Sequence, residues 1–307
     1  MEAGVWERPG SAGRLADAWG FAFILASGGR LWLFPFMAAE AMNRGNREMR
    51  GRGIPRAPEH ELKERYALLW RGAITRIRSG AIEIDPVLAE KQTDLRRGLT
   101  VIIRPGLAVR RRVAALLEDL RAIEPDQYYY DPAEFHVTFL SLFTATVEHV
   151  RFFARSREYE AAVDCALAEV RPFKIRFSGI TASPGAVMVQ GFPESEALNA
   201  GRERLRRELR ARGLTEGLDE RYRLETAHIT VVRFRRRLGD AERFARALER
   251  WRAAELGATE VESPRLVRND WYMSRGNLEL VRGWKLGEAG VKSPPSRSQS
   301  RKTTPRA

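Results

Sequence analysis

Between residues 59 and 78, apolar side chains recur at steps of three and four: Leu62, Tyr66, Leu69, Trp70, Ala73, Ile74 and Ile77. That spacing predicts an amphipathic helix that packs onto a neighbouring domain. From about residue 97 the pattern changes to short apolar runs alternating with helical ones. Strands are expected over residues 99–104, 135–143, 173–180 and 187–192, and within 223–234. Residues 266–274 and 278–284 read as a closing hairpin around Arg275-Gly276-Asn277. Helices are expected over 109–123, 148–170 with a break near Arg155, 196–212 and 240–256. Gly213 and Gly257 each stand just past an expected helix end, the position that favours a left-handed residue.

A weak internal repeat runs through this pattern. A helix leads into a His-x-Thr strand and another helix follows, once over residues 109–170 and again over 196–256. The two histidines, His136 and His228, are 228 − 136 = 92 residues apart. Duplicated α+β lobes explain such a repeat.

The repeated tetrapeptides are His136-Val137-Thr138-Phe139 and His228-Ile229-Thr230-Val231, the two His-x-Thr occurrences in the chain. On a strand, alternate side chains share a face. His136 and Thr138 therefore point one way and the apolar residues the other, and the second copy repeats this. Polar residues precede each copy: Asp131 and Glu134, then Glu225 and Thr226. If the two strands meet across a cleft, two imidazoles and two hydroxyls converge. An imidazole takes or gives a proton near neutral pH, and threonine hydroxyls can donate to phosphate oxygens. The set suits metal-free cleavage of a phosphodiester, with His136 and His228 catalytic and Thr138 and Thr230 on the phosphate. Arg233 is a further phosphate candidate, but its odd spacing from His228 turns it away unless a bulge brings it back. Tyr128, Tyr129 and Tyr130 form either a partly buried edge strand or, through Tyr130, a base-stacking surface.

With 53 Lys+Arg against 40 Asp+Glu, the net charge is +13, which favours polyanionic partners, nucleic acid first. The arginines from Arg202 to Arg212 read as a solvated helix face. The single cysteine, Cys165, lies in an apolar helical stretch and reads as a buried, inert thiol; it excludes a disulfide framework. Histidine pairs at metal-ligand spacing are absent, and no metal or cofactor is expected. No apolar run is long enough for a stable membrane span. Residues 1–58 read as a leader and linker whose mixed charge argues against a signal peptide; Met37, Met42 and Met49 are alternative starts. Residues 59–96 read as a helix and connection, 97–286 as the catalytic unit, and 287–307 as a basic tail that cannot bury a core. A cytoplasmic monomer is expected.

Over roughly residues 97–285, the motifs and the order of elements resemble the two-histidine (2H) phosphoesterase superfamily. The match is to its bacterial 2′-5′ RNA ligase-like and RNA 2′,3′-cyclic phosphodiesterase branch. The family pattern is His-x-Thr/Ser followed by an apolar residue, and both copies obey it. Arg233 also falls where relatives often carry an arginine. The first motif departs from the usual Phe-Leu-Gly continuation, reading Leu140-Ser141-Leu142-Phe143. The resemblance implies a bilobal, duplicated α+β fold, with two antiparallel sheets facing a central basic cleft and helices outside. It implies an RNA or nucleotide substrate and hydrolysis of a 2′,3′-cyclic phosphate or a related diester. The alternatives are 2′-5′ RNA ligation at the same site and an RNA-binding module without turnover.

Overall fold

The computed structural model describes residues 58–220 and 222–287. The expected leader, the alternative starts and the basic tail lie outside these residues. Two antiparallel sheets organise the chain. The first has the strand order β3-β1-β8-β9, from β1 (Arg97–Ile103), β3 (Val137–Thr146), β8 (Arg265–Asn269) and β9 (Glu279–Gly283). The second has the order β2-β6-β5-β4-β7, from β2 (Tyr128–Tyr129), β4 (Phe173–Ser183), β5 (Ala186–Pro193), β6 (Ile229–Arg233) and β7 (Glu255–Val261). Each sheet thus carries one His-x-Thr motif, on β3 and on β6. The fold is α+β, as expected.

The helices are α1 (Pro58–Arg78), α2 (Leu107–Arg121), α3 (His149–Phe153), α4 (Ser156–Leu167), α5 (Ala197–Ala211) and α6 (Ala241–Arg250). Helix α5 packs on α4 and β3, and α2 packs on β7. Most buried apolar residues of both sheets and of these helices form one contiguous core, from Val101 and Phe139 to Ile229 and Phe244, beside two small clusters around Tyr66 and around Ile102. The expected break near Arg155 separates α3 from α4.

Three expectations need correction. The helix expected to reach residue 256 stops at Arg250, and residues 255–261 are β7 instead. Local helix propensity there is overridden by pairing with β4, in which Gly257 faces Phe177 with φ +97°. Cys165 is exposed, on the outer side of α4. The arginines of α5 are not a uniform solvated face, because Arg202 and Arg206 are each only 1 % exposed.

Helix α1 is integral to the same body. It packs on β4, β5 and α6, and its Ala73 and Ile77 belong to the main core. Tyr66 is fully buried. Its hydroxyl donates to the carbonyl of Gly191 at 3.1 Å and accepts from the amides of Ala227 at 3.1 Å and Gly191 at 3.3 Å. Among the described residues no helix is long and apolar enough to cross a membrane.

Candidate active site

A cavity of about 200 Å³ opens between the two motif strands, and His136, Thr138, His228, Thr230 and Arg233 all line it. Both histidines sit one residue before their strands and are half-buried. Each ring is anchored through Nδ1 to the residue two positions earlier. His136 Nδ1 lies 2.9 Å from the carbonyl of Glu134, and His228 Nδ1 lies 2.7 Å from the hydroxyl of Thr226. A carbonyl can only accept, so neutral His136 carries its proton on Nδ1 and keeps the Nε2 lone pair. The hydroxyl of Thr226, itself buried, can serve either tautomer of His228. Neither Nε2 takes a hydrogen-bond partner among the described residues.

Arg233 reaches the cleft through a β-bulge. Val187 pairs with Val232 but the next residue, Met188, pairs with Thr230, so Val231 is an extra residue in β6. Val231 and Val232 are both buried, and the alternation resumes with Arg233 on the face of His228 and Thr230. The first motif has the same device. Val101 pairs with Leu140 and Ile102 with Thr138, leaving Phe139 extra. Phe139 and Leu140 are both buried, and Ser141 returns to the cleft face. Each strand therefore presents His-x-Thr-x-x-polar, with Ser141 as the counterpart of Arg233.

Arg233 is held on three sides. Its Nε donates to the Tyr130 hydroxyl at 2.9 Å, Asp85 stands 3.8 Å from Nη1, and the Tyr272 ring lies 5.7 Å away. Burial works against its charge, yet Tyr130, Asp85 and Tyr272 keep its pKa above the ordinary value. Tyr130 is only 2 % exposed and packs edge-on against Tyr128. Its contribution is the hydroxyl that orients Arg233, since a ring so buried offers a base no free face. The partly exposed aromatic residues lining the cavity are Tyr222 and Trp271, with Arg96 stacked 4.7 Å from the Trp271 ring.

Behind the two strands lies Arg202, on α5. Its Nε donates to the Phe139 carbonyl at 2.7 Å, and its Nη2 to the carbonyls of Thr138 at 2.8 Å and Thr226 at 2.9 Å. One guanidinium thus satisfies the carbonyls at the β3 bulge and ties them to the segment leading into His228. Gly201 makes this approach possible, since a Cβ there would come within 2.7 Å of Phe139 Cζ. Burial and the neighbouring Arg206 lower the Arg202 pKa to about 9, so the group stays charged at neutral pH.

Burial pushes the pKa of both imidazoles down to about 4. For His136, the charges of Arg104 and Arg233 add to the shift, and the Glu134 carbonyl opposes it. For His228, the charges of His136, Arg202 and Arg233 add. Burial and the cations close to the two rings thus keep both imidazoles neutral at neutral pH, and an arriving anion would favour protonating one of them. Among the described residues no group of three or more metal-ligating side chains gathers.

Sequence reasoning passed over Arg202, Tyr66, Ser141 and Trp271. The anchors Glu134 and Thr226 were visible as polar residues before each motif, but their roles at Nδ1 were not. Arg202 was hidden because a buried arginine has the same sequence signal as its exposed neighbours on α5.

No family model matches the chain, and no curated protein matches it. Among solved structures it is similar to TT0787 of Thermus thermophilus, at 19 % identity and a TM-score of 0.45, covering 62 % of this chain and 97 % of that one. It is also similar to Escherichia coli LigT complexed with 3′-AMP, at 15 % identity and a TM-score of 0.39, covering 63 % and 99 %. A third similar structure is described as a phosphoesterase, at 15 % identity and a TM-score of 0.40, covering 62 % and 99 %.

Proposed function

We propose that the chain is a two-histidine phosphoesterase that hydrolyses a 2′,3′-cyclic phosphate or a related RNA or nucleotide diester by paired acid–base catalysis, without a metal. The observation that carries this reading is the matched pair of imidazoles lining one cavity. Each is anchored at Nδ1 from two residues upstream, and each keeps an uncommitted Nε2. In the proposed reaction one Nε2 takes a proton from water as its oxygen attacks phosphorus. The bond from phosphorus to the leaving ribose oxygen breaks, and the other histidine, protonated at Nε2, gives that oxygen a proton. Thr138, Thr230 and Arg233 donate to the non-bridging oxygens, where charge grows in the transition state. Tyr130 and Asp85 orient Arg233 for that task. The diester's own negative charge restores the proton that burial takes from the acid histidine.

The test is hydrolysis of an oligoribonucleotide ending in a 2′,3′-cyclic phosphate. His136→Ala and His228→Ala should each lower kcat by about 10²–10⁴-fold. Equal activity in the wild type and both variants would end the assignment. RNA binding without product in the wild type would favour the binding module instead.

A further inference from the structure

Arg104, whose charge acts on His136, and two arginines that act on Arg104 in turn take no part in the chemistry above. Ile103 pairs with Val137, so one step further along the same register sets Arg104 opposite His136. Arg265 pairs with Ile102, which also pairs with Thr138. Paired residues share a face of the sheet, so Arg104 and Arg265 belong to the face that carries His136 and Thr138. Arg110, in the first turn of α2, three residues beyond the helix start and six beyond Arg104, is near enough for its charge to act on Arg104. Burial first, then the charges of Arg265 and Arg110, hold the Arg104 guanidinium below its ordinary pKa.

Compensation within the protein is slight. Among the described residues none of the three forms an ion pair, and Arg110 Nε is buried with no partner. Arg104 donates to the Phe135 carbonyl at 3.0 Å. The carboxylate that acts on Arg104 is Glu134, but its oxygens already accept from the Arg275 and Asp131 amides and the Tyr128 hydroxyl. Three gathered cations beside one committed carboxylate form a ready site for an anion, and a guanidinium matches phosphate geometry. β8 lies two strands from β3, about 10 Å at ~4.8 Å per strand spacing. The cavity itself, at about 200 Å³, is smaller than the roughly 300–1,000 Å³ of a whole small-molecule pocket. None of the three arginines lines it, so a ligand that reaches both the histidines and these arginines extends outside it.

We propose that Arg104, Arg110 and Arg265 form a second phosphate subsite. It takes the phosphate one nucleotide away from the reacting diester, so the preferred substrate is an oligonucleotide. This inference rests on the reading of the cleft as a phosphodiester site.

The probes are uridine 2′,3′-cyclic phosphate and the dinucleotide UpU ending in the same cyclic phosphate. In the wild type kcat/KM for the dinucleotide should be higher by about tenfold, the value of one charge-assisted contact. In Arg110→Gln and Arg265→Gln that ratio should fall toward one, through KM. An unchanged ratio in both variants overturns the proposal; should Arg110→Gln fail to fold, the exposed Arg265 carries the comparison. If the wild type turns over neither probe, the hydrolytic reading fails, and calorimetry with uridine 3′-monophosphate and UpU 3′-phosphate decides the subsite alone. Tighter dinucleotide binding that Arg265→Gln removes, with a log–log salt slope shallower by about 0.7, supports it. Equal wild-type affinity for the two ligands overturns it.

Discussion

At the scale of single residues, the proposed chemistry turns on how two imidazoles are held and what their surroundings do to their charge. Both are pushed down to about 4 by burial and by neighbouring cations. Two consequences follow, and they differ in sign. In the folded protein each histidine gives up its proton near pH 4, whereas in the unfolded chain it does so near pH 6.5, the usual value. Between those values the unfolded chain binds more protons, so stability rises with pH across that window and falls as the pH drops through it. Urea midpoints of the wild type should therefore decline between pH 6.5 and 4.5, and less so in His228→Gln. A decline of the same size in both would locate the effect elsewhere. In the proposed reaction, one histidine must be protonated and the other neutral. The kcat/KM profile, which reports the free enzyme, should peak on the acid side of pH 6.5. The kcat profile should peak higher, because a bound anionic diester favours the imidazolium. A kcat/KM optimum above pH 7.5 would contradict this electrostatic account.

At the scale of elements, the site depends on two β-bulges and the arginine behind them. Strict alternation would have turned Arg233 and Ser141 into the core. One extra residue in each strand, Val231 and Phe139, returns them to the cleft. The motifs and their shared strand frame were legible in the sequence because a two-residue period is a local property. The bulges were not, because an extra residue is defined only against the partner strand. For the same reason Glu255 and Leu256, the start of β7, read as the last turn of a helix ending at Gly257: the segment becomes a strand only by pairing with β4. Arg202 belongs to this scale as well, since it bridges Thr138, Phe139 and Thr226. Replacing it with Met removes three charged hydrogen bonds and leaves buried carbonyls without partners. The expected loss is about 3–5 kcal/mol, measured by denaturant unfolding, and Lys should rescue little because it lacks the planar fork. A loss under about 1 kcal/mol would show that the carbonyls find other partners.

At the scale of the whole molecule, the sequence divided the chain at residue 97 and treated the preceding helix as an attachment. The periodicity of α1 showed that it must bury one face, but not which surface would receive it. The structure gives that face to β4, β5 and α6. It also places the Tyr66 hydroxyl among the backbone groups of Gly191 and Ala227, the latter adjoining His228. The helix therefore fills part of the core and steadies the approach to one proposed catalytic residue. These two contributions can be separated. A fragment of residues 97–287 loses the buried faces of Leu62, Tyr66, Ala73 and Ile77, at about 1.5–3 kcal/mol for each larger side chain. Against a typical total stability of about 5–15 kcal/mol, that fragment should fail to give a cooperative thermal transition. A fragment of residues 58–287 should melt cooperatively. Tyr66→Phe keeps nearly all of the packing and removes only the hydroxyl, leaving the Gly191 and Ala227 amides short of an acceptor. It should cost about 1–3 kcal/mol. Its kcat on the cyclic-phosphate substrate should also fall, because the segment that sets the His228 ring is loosened. If Tyr66→Phe lowers stability while kcat and its pH profile stay at wild-type values, α1 supports the core alone and the loop before His228 is held by Arg202 and Thr226.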